Sequence, residues 1–312
     1  MSEIGSYGAL APAKVNLGLF LGLRREGDGR HELVTVMQSI SLADELRLEP
    51  APPGVDHDEI VCPGLVDPPQ ENLAARALAS FRAATGWRAP PLRLSIHKRI
   101  PVAAGLGGGS ADAAAALRLA SRASQLGDER LLCELGAELG ADVPAQVAPG
   151  RWLASGAGEL LEALATPFPA LELLVLPAAG ALSTADVYEE SDELGLARER
   201  GELEQRREQL RAALELGAPL PAARELLHND LQAAAISLSA PIAEALVQMR
   251  EAGAEEALVS GSGPTVVGLF GHANPAGRAQ RAAAALRGHV PEPIAAKSID
   301  ASFARATTLS QP

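Results

Sequence analysis

Apolar residues run almost unbroken over residues 13–23, a pattern that predicts a buried strand. Residues 24–30 (RREGDGR) carry the Gly and Asp content of a turn. Residues 33–42 and 44–48 alternate apolar and polar positions, as half-buried strands do. Residues 50–54 and 63–70 read as loops. Residues 72–84 bring Leu73, Ala77, Leu78 and Phe81 onto one helical face, and Leu92, Leu94 and Ile96 form a short period-2 strand. A glycine-rich segment then leads into an Ala/Leu-rich helix ending near Ser124, and a second helix covers roughly 128–140. After a Pro149-Gly150 break, strands are expected near 151–154 and at 171–176. Residues 190–216 predict a charge-dense helical region whose Glu and Arg residues most simply form a solvated face. A helix over 242–253 precedes a strand at 257–259, a turn, and a strand at 266–270, and a last helix spans 274–286. No fixed-period repeat is present.

This mixed order argues for α+β domains rather than regular βαβ winding. The length, 312 residues, suggests two domains, an N-terminal one over 1–156 and a C-terminal one over 157–312.

Composition narrows the function classes. The hydrophobic fraction of 47% supports a real core. A net charge of −12 makes the chain a poor candidate for coating a phosphate backbone, although a local anion site is still open to it. Aromatics at 3% argue against base stacking on single-stranded nucleic acid. Cys62 and Cys133 lie far apart and in no zinc-type pair, which argues against a disulfide framework. Residues 1–12 have neither a basic start nor a long apolar run, so no signal peptide is expected. Residues 257–277 lack acidic and basic side chains but are broken by Gly and Pro, which suits a loop and buried strand better than a membrane span. A soluble, reduced, cytoplasmic protein, monomeric or homodimeric, with no nucleic-acid or membrane partner, is the expectation.

Gly105-Leu106-Gly107-Gly108-Gly109-Ser110 carries the strongest local chemistry. Glycines admit positive φ and let a ligand approach the amides. The helix start that follows adds unpaired N–H groups and about half a unit of positive charge. Together they suit phosphate oxygens. Ser110 is placed to cap the helix, touch a phosphate or reach Mg²⁺. Neither common nucleotide loop fits. Gly109 leads into Ser110 with no lysine, so this is no P-loop, and the third glycine of a dinucleotide fingerprint is replaced by Ser110.

With its flanks, Pro101-Val102-Ala103-Ala104-Gly105-Leu106-Gly107-Gly108-Gly109-Ser110-Ala111 resembles the phosphate-binding loop of the GHMP kinases. Ala11-Pro-Ala-Lys14-Val-Asn16-Leu, Asp28-Gly-Arg-His31, Leu139-Gly-Ala-Asp142-Val-Pro, Asn229-Asp-Leu-Gln232 and Ser260-Gly-Ser-Gly-Pro-Thr265 follow in the right order and narrow the match to the branch acting on a cytidine-diphosphate sugar alcohol. The resemblance covers about residues 11–270. It implies a two-domain fold, with a ribosomal-protein-S5-like N-terminal domain, a ferredoxin-like C-terminal domain and the site between them. It also implies transfer of the ATP γ-phosphoryl group to the substrate's 2-hydroxyl, with Mg²⁺ required, in non-mevalonate isoprenoid biosynthesis.

A kinase needs a held triphosphate, neutralised charge and an oriented nucleophile. The resemblance makes 101–111 the triphosphate loop and Asp142 the group that takes or aims the acceptor proton. Read locally, an Asp before Val-Pro is more commonly a helix or turn cap. Lys14 would keep Asp142 ionised and place positive charge beside the reacting groups. The chain has only three lysines (Lys14, Lys98 and Lys297), so a Lys within an apolar strand hints at a compact point charge where Arg is the default. Asn16, His31, Thr184 and Tyr188 resemble positions used for the cytidine substrate, with Tyr188 the aromatic that stacks on the base. The family usually has Tyr before this histidine; here it is Arg30, which could stack on the base or meet the diphosphate. Lys98 and Asn72 resemble positions near adenine and ribose; locally they read as a solvated strand end and a helix N-cap. Gly261, Ser262 and Gly263 resemble the motif that packs beside the phosphate loop and acceptor. Kinases of homoserine or mevalonate type, a phosphorylating decarboxylase of the same superfamily, and a binding protein without turnover are the alternatives.

Overall fold

The computed structural model describes residues 5–64, 71–163, 171–178, 180, 182–215, 224–271 and 277–309. The apolar N-terminal stretch forms β1 (Ser6–Arg24), longer than its hydrophobic run predicts. It turns into β2 (His31–Pro50), one continuous strand where the sequence pattern suggests two. Next come β3 (Glu59–Val61), α1 (Leu73–Thr85) and β4 (Leu92–His97). α2 (Gly108–Ser124) leaves the glycine loop and is followed by α3 (Glu129–Leu139) and the single turn α4 (Val143–Val147). β5 (Arg151–Ser155), β6 (Leu160–Ala163) and β7 (Glu172–Leu176) precede α5 (Thr184–Glu193) and α6 (Arg200–Glu215). The chain continues through α7 (Gln232–Leu238), α8 (Pro241–Glu251), β8 (Glu256–Val259), β9 (Val266–Phe270), α9 (Arg278–Ala285), β10 (Ile294–Lys297) and β11 (Thr307–Leu309). Expected segments over 65–70 and the start of the last predicted helix lie outside the described residues.

Two sheets result. In the first, the strands run β11-β1-β2-β4-β3, with β5 on the other half of β2 and β6 beyond it. β6 and β11 thus join this sheet although both lie in the C-terminal half of the chain. The second sheet has the order β10-β7-β9-β8, fully antiparallel. Counted in chain order that is 4-1-3-2, the ferredoxin-like arrangement, with α5–α8 and α9 as the crossovers.

Side-chain alternation explains how the sheets stack. Leu173 and Val175 of β7 enter the core that also holds β1, β2, β4 and α1–α3, whereas Leu174 and Leu176 enter a second core with α7, α8 and α9. β1 itself spans both, with Val15 and Leu17 in the first and Leu19 and Leu21 in the second. At the heart of the first core is α2, whose run from Ala113 to Ala116 is fully buried. Alanine suits this place because it has the highest helix propensity and lets neighbouring elements approach closely.

The described part of the charged segment, 190–215, is helical as expected over the end of α5 and the whole of α6. Leu203, Leu210 and Leu214 of α6 are buried, so its charges do form the outer face of an amphipathic helix.

Asp230 ties β1 to the C-terminal half. It accepts hydrogen bonds from Leu21 N at 2.9 Å, from both Nε and Nη2 of Arg198 at 2.7 Å, and lies 2.9 Å from His228 Nε2. Burial alone would raise its carboxyl, but the hydrogen bonds from His228, Arg198 and the Leu21 amide outweigh that and hold it below the usual carboxylate range. A depressed pKa contributes stability above the unfolded value, about 3.9, and loses it as pH falls through the folded value. Asp230→Asn is therefore expected to lower stability by about 2–3 kcal/mol at pH 7. Thermal melts should show the gap to wild type closing as pH drops from about 5 towards 3. A gap independent of pH would contradict this account.

Candidate active site

The glycine loop ends in an open helix start. Gly107 sits at φ 71° as the N-cap of α2, and no side chain caps the helix. By contrast, Asn72, Asp128 and Ser183 cap α1, α3 and α5 with their side chains. Ser110 is the third residue of α2, so the capping role open to it in the sequence is not realised. The first-turn amides face a cavity of about 430 Å³ lined by Asn72, Lys98, residues 100–110 and Asp112. A larger cavity of about 1080 Å³ lies against β1, β2, β4 and the 302–309 segment. It contains none of the loop glycines, nor Lys14 or Asp142, and its size alone implies no chemistry.

The loop is locked in place by the turn after β8. A Cβ on Gly105, which has φ 72°, would lie 2.5 Å from the carbonyl oxygen of Gly263. Thr265 Oγ1 donates to Ala104 O at 2.6 Å. Asn229, whose role the sequence does not reveal, holds that turn. Its Nδ2 donates to Val259 O and Gly261 O at 2.8 and 2.7 Å, and its Oδ1 accepts from Leu231 N.

Lys14 reaches the same place from β1. Its backbone N–H donates to Leu106 O at 3.0 Å, and its side-chain methylenes lie against Gly107, where a Cβ would come within 3.0 Å of Lys14 Cγ. The ammonium donates to Asn16 Oδ1 at 2.9 Å and sits 3.3 Å from Asp142 Oδ2. Asp142 occupies the N-cap position of α4 yet makes no side-chain cap bond there, so its carboxylate is directed to Lys14 instead. The pair is only partly buried, 12% and 35% exposed, and such a pair stabilises a fold by no more than about 1 kcal/mol. Stability alone gives little reason for this arrangement. Beside a phosphate loop it can hold an acceptor hydroxyl and offset developing negative charge.

Around this centre, Asn16 Nδ2 donates to Thr35 Oγ1 at 2.8 Å and Asn16 N to Ser260 Oγ at 3.1 Å. Thr184 Oγ1 lies 3.0 Å from Ser262 Oγ, joining the start of α5 to the Gly261–Gly263 turn. The His31 and Tyr188 rings are 5.2 Å apart with a 35° tilt. Burial first, and the Asp142 charge second, push the Tyr188 phenol up to about 12, so it stays a neutral hydroxyl at physiological pH. The Arg30 guanidinium donates to Ala157 O at 2.8 Å and opposes that upward shift.

Two of the expected residues have additional partners. Lys98 is no solvated strand end: its ammonium bridges Asp44 Oδ2 at 2.5 Å and Asp112 Oδ2 at 2.7 Å. Asp44 also accepts from Arg99 N and Ile100 N, fixing the approach to the loop. Burial drives the Asp112 carboxyl up, to about 7, against the opposing pull of Lys98. Asn72 caps α1 through Ala74 N and also borders the cavity, so both readings of it hold geometrically. His31 Nε2 lies 2.7 Å from Asp192 Oδ1. Asp192 stands in the segment read from sequence as only a solvated face. Its signal was the i, i+4 spacing from Tyr188, which places both on one side of α5.

A glycine loop over an uncapped helix start, facing a Lys–Asp pair across the join of an S5-like and a ferredoxin-like unit, defines the GHMP kinase class. Residues 72–150 match the GHMP kinases N terminal domain and residues 196–291 the GHMP kinases C terminal domain. The chain is 39% identical over 300 residues to the 4-diphosphocytidyl-2-C-methyl-D-erythritol kinase of Shouchella clausii, covering 95% of each chain. It is 42% identical over 265 residues to that of Anaeromyxobacter sp., covering 84% of this chain and 80% of the relative. A crystal structure of 4-(cytidine 5'-diphospho)-2C-methyl-D-erythritol kinase superposes with a TM-score of 0.71 at 34% identity, over 93% of this chain and 98% of the other. The chain belongs to the 4-diphosphocytidyl-2-C-methyl-D-erythritol kinase family. Homoserine kinase from Cytophaga hutchinsonii, at 15% identity and a TM-score of 0.73, shares the fold.

Two glycines separate loop shape from ligand approach. Gly105→Ala combines a left-handed φ with a backbone clash, and is expected to lower stability by more than about 1 kcal/mol and weaken ATP binding at least tenfold. A Cβ on Gly109 meets only Leu73 Cδ1 at 3.6 Å, so Gly109→Ala should melt like wild type. Thermal melts and nucleotide titrations of both variants check this; equal behaviour of the two would refute the packing argument.

Proposed function

We propose that the protein transfers the γ-phosphoryl group of ATP to the 2-hydroxyl of 4-diphosphocytidyl-2-C-methyl-D-erythritol, giving the 2-phosphate and ADP, in the cytoplasmic supply of isoprenoid precursors by the non-mevalonate route. The observation that carries this reading is the 3.3 Å contact of Lys14 Nζ with Asp142 Oδ2, on a lysine whose stem packs against the phosphate loop.

The loop 101–111, through the amides that follow Pro101 and those at the start of α2, holds the triphosphate, with Ser110 facing its oxygens and Asn72 and Lys98 on the adenosine side. Among the described residues no group of three His, Cys, Asp or Glu side chains forms a metal site. The hydroxyl of Ser110, in the loop cavity, is a hard oxygen donor that fits Mg²⁺ carried on the nucleotide. Such an ion supplies charge neutralisation on the β- and γ-phosphates. Asp142 accepts the hydrogen of the 2-hydroxyl, the hydroxyl oxygen forms its bond to the γ-phosphorus, and the bond to the β–γ bridging oxygen breaks to release ADP. Lys14 keeps Asp142 ionised and offsets charge on the transferring group. Asn16, His31, Arg30, Tyr188, Thr184 and the Gly261-Ser262-Gly263 turn receive the cytidine-diphosphate substrate, Tyr188 offering its ring to the base.

ADP release should depend on the cytidine-diphosphate substrate and not appear with homoserine or mevalonate. Lys14→Ala and Asp142→Ala should fold normally and lose at least about 10²-fold in kcat. Near wild-type turnover in either variant would remove these assignments.

A further inference from the structure

His31 side-chain atoms are 4% exposed, and the only hydrogen-bond partner of its ring among the described residues is Asp192, through Nε2 at 2.7 Å. The other oxygen of that carboxylate accepts from Arg24 Nε at 2.7 Å. Burial alone would raise the Asp192 carboxyl, but the hydrogen bonds from His31 and Arg24 outweigh it and hold it below its ordinary value, so it is an ionised acceptor at neutral pH. An ionised carboxylate has no hydrogen to give; the hydrogen in the 2.7 Å contact must stand on Nε2. In a neutral imidazole the second nitrogen, Nδ1, is then a lone pair. Nδ1 has no partner among the described residues and is not among the polar atoms sealed from solvent. The ring it belongs to stands 5.2 Å from Tyr188, the aromatic offered to the base.

We infer that Asp192 is a specificity-determining positioning residue: by holding the hydrogen on Nε2 it presents Nδ1 of His31 as an acceptor, which takes an amino-bearing base edge such as cytosine's and rejects one with a carbonyl there, such as uracil's. This rests on the cytidine reading of the site. The amino group of cytosine can donate to the lone pair, whereas the uracil carbonyl would bring a second acceptor against it and leave both unpaired. A site built around one hydrogen bond discriminates strongly against the analogue that cannot make it. Arg24 has a separate part. Its half-exposed side chain neutralises Asp192 from the outside; Arg24 pairs with His31 through the β1–β2 backbone ladder, but its guanidinium bonds to the Asp192 carboxylate and not to the His31 ring.

The test compares turnover of the 4-diphosphocytidyl substrate with its 4-diphosphouridyl analogue. Asp192→Ala should reduce the ratio of the two kcat/KM values at least about tenfold, mainly through KM for the cytidine substrate, while Arg24→Ala keeps the wild-type ratio. An unchanged ratio in Asp192→Ala, or an equal loss in Arg24→Ala, overturns the inference. ¹⁵N NMR of the His31 ring in the free wild-type protein reads the tautomer without substrate: a protonated Nε2 and a lone-pair Nδ1 are expected, and a protonated Nδ1 overturns the proposal. Failure of the wild-type protein to phosphorylate the cytidine substrate would instead reject the functional reading, and the NMR result would then stand by itself.

Discussion

The site depends on one close approach between two backbones. At Gly105, where φ is 72°, a Cβ would lie 2.5 Å from the carbonyl oxygen of Gly263, so the loop and the turn can meet this closely only with glycine at 105. That contact joins the glycine loop of one unit to the Gly261–Gly263 turn of the other. Thr265 reinforces it by bonding to Ala104 O, and Asn229 fixes the turn from behind. Lys14 then enters along β1, its amide tied to Leu106 O and its stem against Gly107. In this arrangement the ammonium meets Asp142 at 3.3 Å.

Energetics separate two kinds of residue here. The Lys14–Asp142 pair is partly open to water, where ion pairs contribute little to folding. Asp44, fully buried and bonded to two backbone amides and Lys98, is the opposite case, because removing the Lys98 charge would leave the Asp44 carboxylate in the core without its cation. In the proposed mechanism the first pair serves the chemistry, and the second fixes the approach to the glycine loop.

Much of this was legible in the residues. The glycine loop, the helix it opens, the strand–turn–strand at 257–270 and the order of motifs all follow from local rules of turn chemistry and periodicity. The GHMP resemblance drawn from those motifs is matched by the family models and relatives. The elements that escaped are short or lack period: β3, β6, α4, α7, β10 and β11 have three to seven residues each, too few for a pattern. The partners of the expected site residues were also hidden. Asp192 sits in a charge-rich stretch indistinguishable from a solvated face, and Lys98 looks like a strand end until the fold brings Asp44 from β2 and Asp112 from α2 to it. Long-range pairing of this kind leaves no local mark on the sequence.

The central claim is that Lys14 and Asp142 act as one unit on the acceptor hydroxyl. A double-mutant cycle on kcat measures this directly. If they act together, Lys14→Ala/Asp142→Ala should be about as slow as the slower single variant. Losses that multiply in full would show two independent contributions and contradict the account.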